Sequence, residues 1–218
     1  MRILVIAPHP DDEVLGCGGT IAKCVGRGDT VFLCVITKVY PPDWSEKYIK
    51  NKKIEINKAT RILGIKHIYF LDFLSVMLDT LPQKDINNAL QKIVSEINPD
   101  IVFIPWKGDL NRDHRIVFES ALVATRPLNT GIKKILAYET LSETEWGRSL
   151  EAFQPNIYED ITPYISIKLD AIQSYESELK EYPHPRSIEA IDILAKKRGS
   201  EVSLKYAEAF MLIREINF

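Results

Sequence analysis

His9, Asp11, Asp12 and Glu13 stand within five positions of one another, behind the apolar run Arg2-Ile3-Leu4-Val5-Ile6 and ahead of Val14-Leu15-Gly16-Cys17-Gly18-Gly19-Thr20. Imidazole nitrogen and carboxylate oxygen suit zinc and similar divalent ions. A further carboxylate beside the ligands is what a metal-bound water needs as its base. About a hundred residues later comes a second polar cluster, Gly108-Asp109-Leu110-Asn111-Arg112-Asp113-His114-Arg115. Of the chain's four histidines, one falls in each cluster. Adjacent Asp11 and Asp12 cannot easily address one ion in the same way; one can ligate while its neighbour faces a bound water. His9, Asp12 and His114 make a three-ligand set with an open position, as a hydrolytic zinc enzyme requires. Asp113 is placed to fix a histidine or a neighbouring base.

Elements must bring these clusters together. Ile3–Ala7, Thr30–Ile36, His67–Leu71, Asp100–Pro105 and Lys134–Tyr138 read as buried strands. Val14–Gly26, Lys47–Leu63, Asp85–Ile97 and Ile116–Thr125 carry helical spacing between them. Strands alternating with helices imply an α/β, Rossmann-like single domain with a mainly parallel sheet flanked by helices. In such a sheet ligands bind beyond the carboxyl ends of the strands. The clusters lie just beyond the first and fourth strands and so meet at one edge. Residues 1–139 form the core of this reading. Residues 140–218 form a C-terminal helical cap, with a short strand near Asn156–Asp160 and helices over Tyr164–Leu179 and Ser187–Phe210, broken at Gly199-Ser200.

The 218 residues carry 45% apolar side chains, enough for one sizeable core. A net charge of −2 gives no reason to expect nucleic acid or an anionic membrane surface. Cys17, Cys24 and Cys34 are odd in number and lack paired spacing, which suits thiols packed in a reducing compartment. The N-terminal apolar run is too short for a signal peptide, and no stretch approaches a membrane span. The expectation is a cytoplasmic protein, compatible with a homo-oligomer.

Ala7-Pro8-His9-Pro10-Asp11-Asp12-Glu13 resembles the H-P-D-D-E signature of the LmbE/PIG-L family of zinc-dependent N-deacetylases, and Asn111-Arg112-Asp113-His114 stands where that family carries H-x-D-H. The resemblance extends over the whole chain. Pro183-His184-Pro185-Arg186-Ser187 and Ala207-Glu208-Ala209-Phe210 resemble its sugar-deacetylase branch. The resemblance implies His9, Asp12 and His114 as metal ligands, Asp11 as general base and Asp113 as a supporting hydrogen-bond partner. The cofactor it implies is Zn²⁺, with Fe²⁺ or another divalent ion as the alternative.

One position departs from the signature. Asn111 replaces a histidine that helps stabilise the oxyanion or donate a proton in relatives. Asn can donate a hydrogen bond to an oxyanion but cannot act as a general acid. His184, between two prolines and near Arg186, is the replacement the sequence offers. Arg186 is a candidate for binding a substrate hydroxyl or anionic group. Lys52, three residues before Glu55, takes the place of a substrate-binding arginine and loses its bidentate fork. Among Trp44, Trp106 and Trp146, Trp106 lies nearest the second cluster and is the candidate for stacking on a sugar.

Blander roles compete: Asp113 as a helix first-turn acid, His114 as an ordinary helix residue, Pro183-His184-Pro185 as a stiff turn, the tryptophans as core. Gly16-Cys17-Gly18-Gly19 also hints at a dinucleotide turn. It lacks the full fingerprint, and three acids ahead of it would repel phosphate. The expected reaction is removal of an N-acetyl group from a sugar or sugar conjugate such as an N-acetylglucosamine derivative, with the amine protonated by Asp11 or His184. The alternatives are an amidase on a larger thiol- or glycoconjugate and a non-catalytic carbohydrate-binding relative.

Overall fold

The computed structural model describes residues 1–128, 131–147 and 149–217. Its strands are β1 (Arg2–Ala7), β2 (Thr30–Lys38), β3 (His67–Leu74), β4 (Ile101–Pro105), β5 (Lys134–Tyr138), β6 (Ile157–Asp160) and β7 (Ala207–Glu215). Its helices are α1 (Asp12–Gly26), α2 (Glu46–Leu63), α3 (Gln83–Ile97), α4 (Arg112–Ala124), α5 (Ile165–Ile172) and α6 (Ile188–Ser200). The sheet runs β3-β2-β1-β4-β5-β7-β6. The first five strands are parallel, while β7 lies antiparallel to both β5 and β6.

The apolar run of β1 makes sense in this sheet. Ile3, Val5 and Ala7 enter one core and Leu4 and Ile6 the other, so no position is left for a polar residue. The first core is closed by α1, α2, α5 and α6, the second by α3 and α4. Ser45 opens α2 by accepting the Tyr48 N–H at 3.2 Å, and Gly64 ends it in the left-handed region at φ 74°.

The glycines of α1 serve packing. A methyl group at Gly16 would lie 2.2 Å from the Tyr138 ring, and one at Gly19 would lie 2.8 Å from Ile161. They let α1 approach the sheet, which accounts for the glycine pattern without a nucleotide. Farther along the helix, the N–H groups of Gly19 and Thr20 donate to the Glu208 carboxylate on β7 at 2.9 and 2.7 Å. Buried Lys168 bridges that carboxylate (2.5 Å) to the Leu15 carbonyl (2.8 Å).

The C-terminal part differs from its sequence expectation in two respects. α6 stops at Ser200, and Ala207–Glu215 is a strand, where the sequence pattern predicts a helix to Phe210. Ala, Glu, Met and Leu favour helix intrinsically, but this segment fills the slot between β5 and β6, and the sheet's tertiary context overrides the propensity. α5 is likewise shorter than its pattern predicts and gives way to turns after Ile172. Among the described residues no helix is long and apolar enough to cross a membrane.

Candidate active site

The strand order reverses between β1 and β4, and the loops that leave their carboxyl ends converge there. Pro8 is anchored first: its carbonyl accepts both the backbone N–H (3.0 Å) and the hydroxyl (2.9 Å) of Thr37 at the end of β2. The chain then turns sharply. Asp11 sits at φ 125°, a left-handed conformation that costs a non-glycine residue on the order of 1–3 kcal/mol. Glu13 helps hold it there, since its carboxylate accepts the Asp11 N–H at 3.0 Å and the Tyr175 hydroxyl at 2.5 Å. Burial lifts the Glu13 pKa to about 7, against those bonds.

Three donor atoms meet at the reversal. His9 Nδ1 lies 3.4 Å from Asp12 Oδ2, His114 Nε2 lies 3.3 Å from the same oxygen, and the two nitrogens are 3.3 Å apart. Four tetrahedral bonds of about 2.0–2.1 Å place their donors about 3.3–3.4 Å apart, so this near-equilateral triangle has the spacing of a small divalent ion's ligands. The outer nitrogen of each ring faces a different carboxylate. His9 Nε2 is 3.1 Å from Asp113 Oδ2, and His114 Nδ1 is 2.8 Å from Asp109 Oδ2. Assigning the ring protons to those outer bonds leaves two imidazole lone pairs aimed at a carboxylate oxygen, a cluster that calls for a cation. Asp12 Oδ1 is buried and has no hydrogen-bond partner. The residues fit a divalent metal.

Each carboxylate is itself held. Asp113 accepts the Val76 N–H at 2.7 Å, and Asp109 accepts the Thr144 hydroxyl at 2.6 Å. With no cation between them, the carboxylates favour protons on the rings in its place. Burial works against the His9 imidazolium, yet Asp113 and Asp12 outweigh it and bring its pKa to about 9. Burial also opposes ionised Asp12, but the two histidines hold its carboxyl far below the usual range.

Asp11 faces a different environment. Burial lifts its pKa to about 8, while Arg186 Nη1, 2.9 Å from Asp11 Oδ2, works in the opposite direction. The same guanidinium reaches Glu178 Oε2 at 3.2 Å, Ser142 Oγ at 2.8 Å and Glu143 Oε1 at 3.7 Å.

The structure brings His9, Asp11, Asp12, Asp113, His114 and Arg186 together, and the other candidates are engaged with partners of their own. Lys52 is buried and engaged, with its ammonium on Glu178, on Ser177 Oγ (2.9 Å) and near Glu55 Oε2 (3.4 Å). Its charge offsets that of Glu178 and also acts on Asp11. Asn111 is the N-cap of α4; its side-chain oxygen accepts the Asp113 N–H at 3.0 Å. His184 Nδ1 accepts the Arg186 N–H at 3.0 Å, and its ring meets Trp146 edge-on at 6.0 Å.

Trp106 corrects the sequence reading. It is 1% exposed, packs edge-on against Phe118 and Phe153, and donates its indole N–H to the Glu151 carbonyl at 3.2 Å. A large apolar residue directly after β4 turns into the core, so its ring has no open face for a sugar. Trp146, 52% exposed beside His184, has one.

Sequence reasoning gives no role to Asp109, Thr144, Tyr175, Glu178 or Glu143. Asp109 carries a usable signal, standing in the second cluster just past a strand and five residues ahead of His114. The others come from segments with no motif.

A family model described as PIG-L: GlcNAc-PI de-N-acetylase matches residues 4–125. The chain is 29% identical over 181 residues to a protein of Escherichia coli (strain K12) described as uncharacterized deacetylase YaiS, covering 80% of this chain and 90% of that one. It is 26% identical over 194 residues to the diacetylchitobiose deacetylase of Thermococcus kodakarensis, covering 83% and 71%. The crystal structure of the conserved protein TT1542 from Thermus thermophilus superposes with a TM-score of 0.81 at 25% identity, covering 99% of this chain and 96% of that one.

Proposed function

The chain belongs to the PIG-L family of de-N-acetylases, and from that premise we propose that it is a metal-dependent hydrolase that removes an N-acetyl group from an amino sugar or its conjugate, releasing acetate. The observation that carries this reading is the triangle of His9 Nδ1, Asp12 Oδ2 and His114 Nε2 with the Asp11 carboxylate on the neighbouring residue. Zn²⁺ is the ion we assign to the triangle, because two imidazoles and one carboxylate are its habitual ligands. We take residues 1–218 as one catalytic unit in which the segment after residue 139 closes over the site with Arg186.

When bound, such an ion polarises the acetamide carbonyl and brings the pKa of water from ~16 toward ~7. His9, Asp12 and His114 hold it, and Asp113 and Asp109 keep the two rings turned inward. Asp11 takes the proton of the attacking water. Arg186 favours the ionised form of Asp11 against the pull of burial. The tetrahedral intermediate collapses as the amine nitrogen gains a proton and the C–N bond breaks.

The reading is tested by acetate release from N-acetylglucosamine, N,N'-diacetylchitobiose and an N-acetylglucosaminyl conjugate, with metal-stripped and zinc-loaded protein side by side. The expected result is turnover of at least one of these by the loaded protein only. Turnover that survives complete metal removal would sink the proposal, as would metal-loaded protein that hydrolyses no amide.

A further inference from the structure

Asn111 stands where the H-x-D-H signature carries a histidine, and its side chain is committed to capping α4. The backbone of residue 111 nevertheless has a titratable neighbour. Its N–H donates to Glu143 Oε2 at 3.1 Å, and the adjacent Leu110 N–H donates to the Glu143 carbonyl at 3.1 Å. Glu143 thus grips the loop after β4 with both its main chain and its carboxylate. It rides on the turn that follows β5, which is packed so tightly that a methyl group at Gly147 would meet the Gly108 carbonyl oxygen at 2.1 Å. Its other oxygen, Oε1, lies 3.7 Å from Arg186 Nη2, while Nη1 of the same guanidinium holds Asp11. One arginine therefore links two carboxyl groups, Asp11 beside the metal triangle and Glu143 bonded to the loop that leads to His114.

Resting on the function proposed above, we propose that Glu143 is the acid that protonates the departing amine, in the place left open by Asn111. Asp11 accepts one proton from water as the C–O bond forms. Glu143 delivers one proton to the amide nitrogen as the C–N bond breaks. One proton is taken and one is given, so both groups return to their starting states by exchange with solvent. The groups acting on Glu143 are His114, Asp12, Arg186 and His9; burial raises its pKa, Asp12 adds to the rise, and the Arg186 guanidinium opposes it. His184 is less well placed: its Nδ1 is occupied by the Arg186 backbone, and its ring is set against Trp146.

The test compares an amide, whose amine must be protonated to leave, with an activated ester, whose phenolate leaves unaided. Zinc-loaded wild-type, Glu143→Gln, Glu143→Asp and His184→Ala are assayed on N,N'-diacetylchitobiose, N-acetylglucosamine and 4-nitrophenyl acetate across pH. Glu143→Gln is expected to keep its metal, to lose about 10²–10⁴-fold in kcat on the amide together with the alkaline limb of the profile, and to stay within about threefold of wild-type on the ester. Glu143→Asp keeps a carboxyl and should keep the limb at a reduced rate; it decides the matter if the glutamine variant does not fold. The proposal is overturned by an unchanged amide profile in Glu143→Gln, by equal losses on amide and ester, by a Glu143→Asp variant without an alkaline limb, or by loss of that limb in His184→Ala instead. Wild-type protein that releases acetate from neither amide overturns the function itself, and the role of Glu143 with it.

Discussion

The two sides of the centre are built differently. On the histidine side, every donor is backed by a carboxylate of the N-terminal half or its close neighbourhood: His9 by Asp113, His114 by Asp109. On the aspartate side, Asp11 is backed by a cation from far along the chain, Arg186, which is shared with Glu143 and Glu178. The first arrangement concentrates negative charge and lone pairs where a metal is wanted. The second holds a carboxyl between a desolvating environment and a compensating charge, which is how a buried carboxyl acquires a pKa near neutrality. Binding and proton transfer should therefore be separable by substitution.

Four substitutions probe that separation, from the largest effect to the smallest. His114→Ala should abolish stoichiometric metal binding and turnover together while leaving far-UV circular dichroism unchanged; full metal occupancy by elemental analysis would break the division at its root. Asp11→Asn should retain the metal and lose about 10²–10⁴-fold in kcat, the usual scale for a missing general base. Metal loss in that variant would mean that Asp11 and Asp12 exchange roles. Asp109→Asn removes the carboxylate behind His114, and metal affinity measured against a chromophoric chelator should fall about 10–100-fold; an unchanged affinity would show that the ring needs no such support. Arg186→Met should leave metal affinity alone and move the acid limb of kcat/KM upward. The sign follows from the charges: the guanidinium lowers the pKa that burial has lifted to about 8, so its removal lets that pKa rise further. A limb that stays in place or moves to lower pH would refute the pairing.

The metal side is the legible side. His9, Asp12 and His114 announce themselves by residue type and by their position after strands whose uninterrupted apolar runs could only be buried. The five parallel strands are readable for the same reason. What is not legible comes from segments without periodicity or motif. Glu143 and Glu178 look like any surface acids until the turn after β5 and the turns after α5 fold over the sheet edge. Trp106 misleads because nearness in sequence to the second cluster says nothing about which face of a strand end a side chain takes. β7 misleads because its Ala and Glu residues obey local helix propensity, whereas its conformation is set by strands on both sides.

Glu208 belongs to β7, yet its carboxylate takes two N–H groups from the middle of α1, the helix whose first turn contains Asp12, and the partners are up to 189 positions apart. A growing chain makes the segment from His9 to Glu13 long before the strand that steadies the helix after it. Until then that segment stands without the brace behind it, and the helix that begins at Asp12 gains its anchor only when β7 takes its place between β5 and β6.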